Sequence, residues 1–364
     1  MAKSVLHLVY SLGGRGSVPR RAQLDAEVAL AAGHNVAFVT DRVAGPVPTG
    51  VKIVTPRRSW HRRLPGLLRE LGAMLVIHFL LRRYLATGKA DVIVFHDSTL
   101  CWPAFWNARG RPTVYMVHAL IRDRIESGAN PYGAVRAWLY RQANRAGLAR
   151  ATHIVCVSKY MAQLAVAEGA DRDAVSVVPN LLNLAEFDAS YAPRYDVIYA
   201  GRLSVEKGVA SLLSALEDLD PEIKVAIVGD GPQRGMLEKR AAGAGLASCS
   251  FLGWVDRPRL RALLASSAIQ VVPSLSEPQG VAALEGLAAG TPVIAANVGG
   301  LPEMIEPGTN GWLFPPGDAA ALKQLLEKAL GDRTHLTEMR GAAKRSAAAF
   351  DLTTMHSRLE RIYL

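Results

Sequence analysis

A chain of 364 residues, half of them hydrophobic, is too long for one ordinary core and suits two α/β domains. The formal net charge of +10 is unevenly spread: residues 1–190 hold 24 lysines and arginines against 13 acids, and the remainder holds 18 against 19. That asymmetry speaks of partners rather than of folding. Three cysteines (Cys101, Cys156 and Cys249), odd in number and far apart, exclude a disulfide framework and a metal-ligand spacing, and fit buried thiols in a reducing compartment.

The stretch Leu6–Val9 is too short and too early for a secretory signal and reads as a first β-strand; no apolar run reaches membrane-spanning length, so a cytoplasmic body is expected. Gly13 and Gly14 follow that strand. Residues 22–32 read as a helix ended by Gly33-His34. Runs at 36–40, 92–95, 113–117, 154–157 and 175–178 read as buried parallel strands, with His96 and His118 directly after two of them. After Pro193 a second series begins at 197–200, 224–228, 250–252, 269–272 and 292–295. Strands alternating with helices at this spacing predict two doubly wound sheets, with the boundary near residue 190.

Between the first strands lies a basic, apolar segment. Residues 57–85 contain seven arginines (57, 58, 62, 63, 69, 82 and 83) and a single acid, Glu70. Leu64, Leu67, Leu68 and Leu71 recur at helical spacing beside Trp60, which predicts an amphipathic helix with a cationic face. From Leu71 to Leu81 the pattern is apolar all round and reads as a buried helix. Two readings stand side by side: a solvated helix followed by a core helix, or a surface around Arg57, Arg58, Trp60, Arg62 and Arg63 that meets an anionic bilayer or the acceptor.

Two later segments carry the chemistry. Gly201–Gly208 (GRLSVEKG) follows an apolar strand and places Arg202 and Lys207, a planar fork and a compact point charge, on a glycine-bounded loop. Two fixed cations suit a diphosphate held without a metal. Further on, Glu277 and Glu285 stand eight positions apart across a loop-to-helix junction containing Gly280. The amides of Val281 and Ala282 begin that helix and offer N–H groups and positive dipole to a phosphate. Basic loop, paired acids and glycines together point to a sugar attached to a nucleoside diphosphate.

With Gly33-His34, His118, Ser158, Val178-Pro179-Asn180, Val228–Pro232, Gly290–Ala295, Gly299–Glu303 and Asn310-Gly311, these segments form an ordered set. The chain resembles the retaining glycosyltransferases of family 4, whose GT-B architecture has two facing Rossmann-like domains with a cleft between them. The resemblance implies an acceptor-binding domain at 1–190 and a nucleotide-sugar domain at 191–350. It also implies a last helix, about 351–364, that packs back on the first domain. Arg202 and Lys207 would bind the diphosphate and stabilise it as a leaving group. Glu285 would accept from the ribose hydroxyls and Glu277 would bind the donor sugar. The base would rest between Gly229 with its turn and the segment Gly253-Trp254-Val255. Trp254 is read as pocket wall or as core, with core favoured. Gly13 and Gly14 would face the phosphates, and His118 would hydrogen-bond the donor sugar. His96 is read as structural or functional alike.

Transfer in such enzymes is expected on one face of the sugar, the leaving diphosphate helping to remove the acceptor proton. No nucleophile, cofactor or metal is implied. UDP is the expected nucleotide, with GDP its rival, and the acceptor is a glycan or lipid-linked molecule of cell-surface synthesis. Pro278-Gln279 departs from the family's usual wording beside Glu277. Alternatives are a sugar-nucleotide epimerase, a phosphorylase, or a non-catalytic basic protein binding membrane or nucleic acid. Aromatics at 7% and no recognised motif argue against nucleic acid. Asp171-Arg172-Asp173 and Asp218-Leu219-Asp220 have the Asp-x-Asp spelling but read as solvated turns before strands.

Overall fold

The computed structural model describes residues 2–13, 16–57, 59–126, 128, 133–187, 193–217 and 219–352. Gly14, Arg58 and Asp218 lie outside the described residues, as does the expected last helix from residue 353 onward. The chain divides into two compact units. Among the described residues, the first takes 2–122 and 133–180, and the second takes 123–126, 128 and 181–352.

The first unit holds seven parallel strands: β1 (Ser4–Leu12), β2 (Asn35–Val43), β3 (Lys52–Val54), β4 (Val92–Phe95), β5 (Thr113–Val117), β6 (His153–Cys156) and β7 (Val175–Val177). Their order in the sheet is β3-β2-β1-β4-β5-β6-β7. The helices of this part of the chain are α1 (Ser17–Ala31), α2 (Gly66–Thr87), α3 (Cys101–Ala108), α4 (Ile121–Glu126), α5 (Ala134–Arg150) and α6 (Lys159–Ala167). Asp123, midway along α4, already counts with the second unit. The apolar runs are continuous because parallel strands are covered on both faces. Leu6 and Leu8 of β1, Ile93 and Phe95 of β4 and Tyr115 and Val117 of β5 point into one cluster with Ile77 and Leu81 of α2 and Leu100. His7, between Leu6 and Leu8, therefore points to the opposite face.

The second unit repeats the plan with β8 (Tyr195–Ala200), β9 (Val225–Val228), β10 (Cys249–Gly253), β11 (Ser267–Val272), β12 (Val293–Ala296) and β13 (Gly311–Phe314), ordered β10-β9-β8-β11-β12-β13 and all parallel. Its helices are α7 (Val209–Leu216), α8 (Arg234–Gly243), α9 (Arg257–Ala265), α10 (Val281–Ala288), α11 (Ala319–Gly331) and α12 (Arg333–Ala347). Alternation along β8 sends Val197 and Tyr199 into one apolar cluster with α7 and α11, and Ile198 and Ala200 into another with α9 and α10. Each sheet thus reverses its winding once, between β1 and β4 in the first and between β8 and β11 in the second. Ligands of open α/β sheets sit outside the carboxyl ends of the strands at such a switch point.

Helix α2 corrects the expectation of a buried segment from Leu71 to Leu81. Gly72, Ala73, Ile77 and Leu81 are buried, but Leu68, Leu71, Leu75 and Phe79 form a second apolar stripe exposed to solvent, Phe79 by 63%. The preceding Trp60–Arg63 is a short 3-10 turn, so Leu64 stands outside the helix that the leucine spacing predicts. Arg57, Arg62, Arg63 and Trp60 are all exposed. Among the described residues no helix is long and apolar enough to cross a membrane.

Candidate active site

In the second unit the switch point brings two predicted segments together. The Gly201–Gly208 loop leaves β8, and the segment carrying Glu277 leaves β11. Lys207 Nζ lies 2.6 Å from Glu277 Oε2, and the Ser274 hydroxyl donates to the same oxygen at 3.2 Å. Glu277 is buried, so this cation and hydroxyl stabilise a carboxylate that would otherwise lose its hydration. The backbone fixes the pairing: the Leu275 amide donates to the Glu206 carbonyl at 2.9 Å. Arg202 sits in the same loop with its side chain in solvent. Its carbonyl accepts from the Tyr199 hydroxyl at 2.8 Å. Burial first, then Glu277 and Glu206, hold the Tyr199 phenol above its ordinary range, so it stays a neutral donor.

Two glycines let neighbouring loops close on this site. A Cβ at Gly229 would stand 1.8 Å from the Gly201 carbonyl oxygen, and one at Gly299 would stand 1.8 Å from that of Glu277, a separation no side chain tolerates. Both have positive φ, 132° and 62°, which an L side chain rarely adopts. The Gly300 amide donates to the Glu277 carbonyl at 3.0 Å, and the Gly229 amide to that of Gly253 at 2.8 Å. Gly229 therefore stands against both the basic loop and the Gly253-Trp254-Val255 segment. Trp254 is 53% exposed, which overturns the core reading: it follows β10 on a surface loop.

Gly280 precedes α10, whose first-turn amides, those of Val281 and Ala282 among them, have no acceptor within the helix. Glu285 lies one turn further along. Its largely buried carboxylate is 2.9 Å from Arg257 Nη1 at the start of α9. Arg257 escapes sequence reasoning because it follows a turn and a capping aspartate, Asp256, and looks like a helix-end charge. Ser276, next to Glu277, donates its hydroxyl to buried Asp123, a pairing across 153 positions that spacing cannot foretell. Three basic side chains (Arg202, Lys207 and Arg257), helix-end amides and two partly shielded carboxylates supply groups that can hold an anion and accept from hydroxyls.

In the first unit Gly13, at the end of β1, packs against Gly45: a Cβ on it would stand 2.5 Å from the Gly45 carbonyl oxygen. His118, after β5, does not stand alone. His7 Nδ1 is 3.0 Å from His96 Nε2, and His96 Nδ1 is 3.2 Å from His118 Nε2. The rings stack at 5.3 and 5.5 Å between centroids. Burial pushes the His7 and His118 imidazoles down to about 3, Arg21 adding to the effect on His118, and lowers His96 as well, through burial and then His7, His118 and Arg21. Each neutral ring has one donor and one acceptor. His96 has a single proton for two bonds, so both bonds must run in the same direction along the chain. The tautomer of His118 is thereby tied to that of His7, and its buried Nδ1 is left without a partner. Arg21, fully buried, reaches Asp25 at 2.7 Å and the Val178 and Pro179 carbonyls at 3.0 and 2.9 Å.

The histidine chain predicts acid sensitivity. An unfolded histidine takes a proton below about 6.5, whereas folded His7 and His118 resist it until about 3 and burial holds His96 well below its ordinary range too. The stabilisation is complete above 6.5 and is lost as pH falls toward 3, by about 1.4 kcal/mol per pH unit for each ring. Urea unfolding at pH 7, 6 and 5 measures the slope, and His96→Gln is expected to make it shallower by one proton. An unchanged slope in that variant would show that His96 does not stay neutral in the fold.

The family model described as Glycosyltransferase Family 4 matches residues 26–186, and that described as Glycosyl transferases group 1 matches 185–346. A glycogen synthase of Mycobacterium tuberculosis is 28% identical over 92% of this chain and 87% of its own. A phosphatidyl-myo-inositol mannosyltransferase of Mycobacterium leprae is 25% identical over 97% and 94%. The solved structure of Anabaena HepE in complex with UDP and glucose superimposes with a TM-score of 0.81 over 99% of both chains, at 20% identity. Two doubly wound parallel sheets, a basic loop meeting Glu277 at the second switch point, and two adjoining family matches that together run from residue 26 to 346 place this chain among the family 4-like glycosyltransferases of GT-B architecture.

Proposed function

We propose that the protein transfers a sugar from a UDP-sugar, with a GDP-sugar as the rival donor, to a glycan or lipid-linked acceptor, with retention at the anomeric carbon and without a metal. The observation that carries this reading is the Lys207–Glu277 pair beside Arg202 at the second switch point. Arg202 and Lys207 neutralise the diphosphate as it leaves, assisted by the first amides of α10. Glu277 accepts from sugar hydroxyls, and Glu285 from ribose hydroxyls alongside Arg257. Gly229, Trp254 and Val255 border the base; Gly13 and Gly14 approach the phosphates; His118, with its tautomer set by His96 and His7, bonds the sugar. The diphosphate oxygen that leaves the anomeric carbon takes up the acceptor proton on the same face. The UDP and glucose bound by the Anabaena relative support the choice of nucleotide.

The phosphatidyl-inositol acceptor in the name of the Mycobacterium leprae relative supports an acceptor held at a membrane. The exposed cations Arg57, Arg62 and Arg63 with Trp60 suit an anionic bilayer facing the cytoplasm.

Thermal unfolding of the purified protein with UDP, GDP and ADP tests the donor reading. UDP at millimolar concentration is expected to raise the midpoint, and Glu285→Ala to abolish the rise. The variant frees Arg257, which is half exposed, so its own midpoint should change little. No rise with any of the three nucleotides would sink the proposal.

A further inference from the structure

A second site lies at the switch point of the first sheet. Between α2 and α5 opens a slot of about 100 Å³. Leu67, Leu71 and Met74 of α2 form one wall, and Leu139 and Ala143 of α5 the other. Tyr10 near the end of β1 and Thr99 after β4 place it at the carboxyl edge of the sheet, where the winding reverses. The polar groups at its border are already engaged. Thr99 Oγ1 donates to Asp97 at 2.7 Å, leaving its oxygen 2.5 Å from the Tyr10 hydroxyl as acceptor. Glu70 is paired with Arg136 and accepts from the Tyr140 hydroxyl at 3.2 Å. What the slot presents is therefore carbon. It is too small for a nucleotide or a saccharide.

The slot is continuous with the exposed stripe of α2. Leu71 lines it and is also 41% exposed, in line with Leu68, Leu75 and Phe79 along the same helix. Arg69, Arg82 and Arg83 project into solvent from that helix, and the first 190 residues carry the whole positive excess. An apolar channel opening on an apolar ridge flanked by arginines is complementary to a molecule with a hydrocarbon chain and an anionic head.

We propose that this slot binds the hydrocarbon chain of a phosphate-bearing lipid acceptor, so that the acceptor of the transferase is a lipid. The inference rests on the transferase reading and names the substrate class of its acceptor side. The chain enters along Leu71 and lies against Met74 and Ala143, and the arginines of α2 hold the phosphate at the surface.

Calorimetric titration of the full chain with ethyl, butyl, hexyl and decyl phosphate, each below its micelle-forming concentration, tests the proposal. Affinity is expected to tighten about fourfold per methylene until the slot is full. Ala143→Leu, which fills the slot, is expected to weaken decyl phosphate at least tenfold and to keep the stabilisation by UDP. Val135→Ser, an exposed apolar residue of α5 outside both the slot and the ridge, should bind decyl phosphate as the wild type does. Affinity independent of chain length overturns the proposal, as does equal binding by Ala143→Leu. The chain-length series decides alone if that variant does not fold. Decyl phosphate binding without stabilisation by UDP would instead overturn the transferase reading and leave the slot standing.

Discussion

Arg202→Ala and Lys207→Ala are each expected to lower the turnover number by roughly 10²–10³-fold, the scale at which a single preorganised electrostatic group acts. The two variants should differ in stability. Arg202 is in solvent, so its truncation leaves the unfolding midpoint near that of the wild type. Lys207 neutralises buried Glu277 from 2.6 Å. Its removal leaves a carboxylate with the Ser274 hydroxyl but no cation, which costs about 1–3 kcal/mol of stability. The charge on a departing diphosphate is greater in the transition state than in the bound donor, so both losses should fall on kcat more than on KM. With two fixed cations in this role, transfer should persist in EDTA. Steady-state kinetics with the nucleotide-sugar found by thermal screening, beside urea unfolding of each variant, makes the comparison. Near-normal kcat in both variants would remove the basic loop from the mechanism.

Much of this arrangement is legible in the sequence because parallel strands covered on both faces leave continuous apolar runs. Val92–Phe95 and Thr113–Val117 stand where patterning alone puts them. The edge strands Lys52–Val54 and Gly311–Phe314 do not announce themselves. The first is three residues long and half exposed, and the second follows Asn310-Gly311, which reads as a turn. Periodicity also fails on α2. An all-apolar stretch shows that a helix has two hydrophobic faces, not that both are covered, and here only the one through Ile77 and Leu81 is. Trp254 misleads for a related reason, since a large aromatic is compatible with core or with a surface wall. The histidine chain is hidden because His7 sits inside an apolar strand. Its link to His96 and His118 exists only once β1, β4 and β5 are side by side.

Gly299→Ala is expected to destabilise the second unit by about 3–5 kcal/mol, among the largest effects of a single methyl group. The new Cβ would meet the Glu277 carbonyl oxygen at 1.8 Å, and the backbone there has a φ of 62° that alanine adopts only with strain. Relief requires the Glu277 segment to move, which breaks the bond from the Gly300 amide and carries the carboxylate away from Lys207. Stabilisation by UDP should therefore fall together with the unfolding midpoint. Gly235→Ala, inside α8 with nothing within 4 Å of its Cβ, is the matching control. It is expected to gain up to about 1 kcal/mol from helix propensity and to respond to UDP unchanged. If Gly299→Ala is as stable as Gly235→Ala, the loops after β11 and β12 are not locked together, and the position of Glu277 depends on its side-chain partners alone.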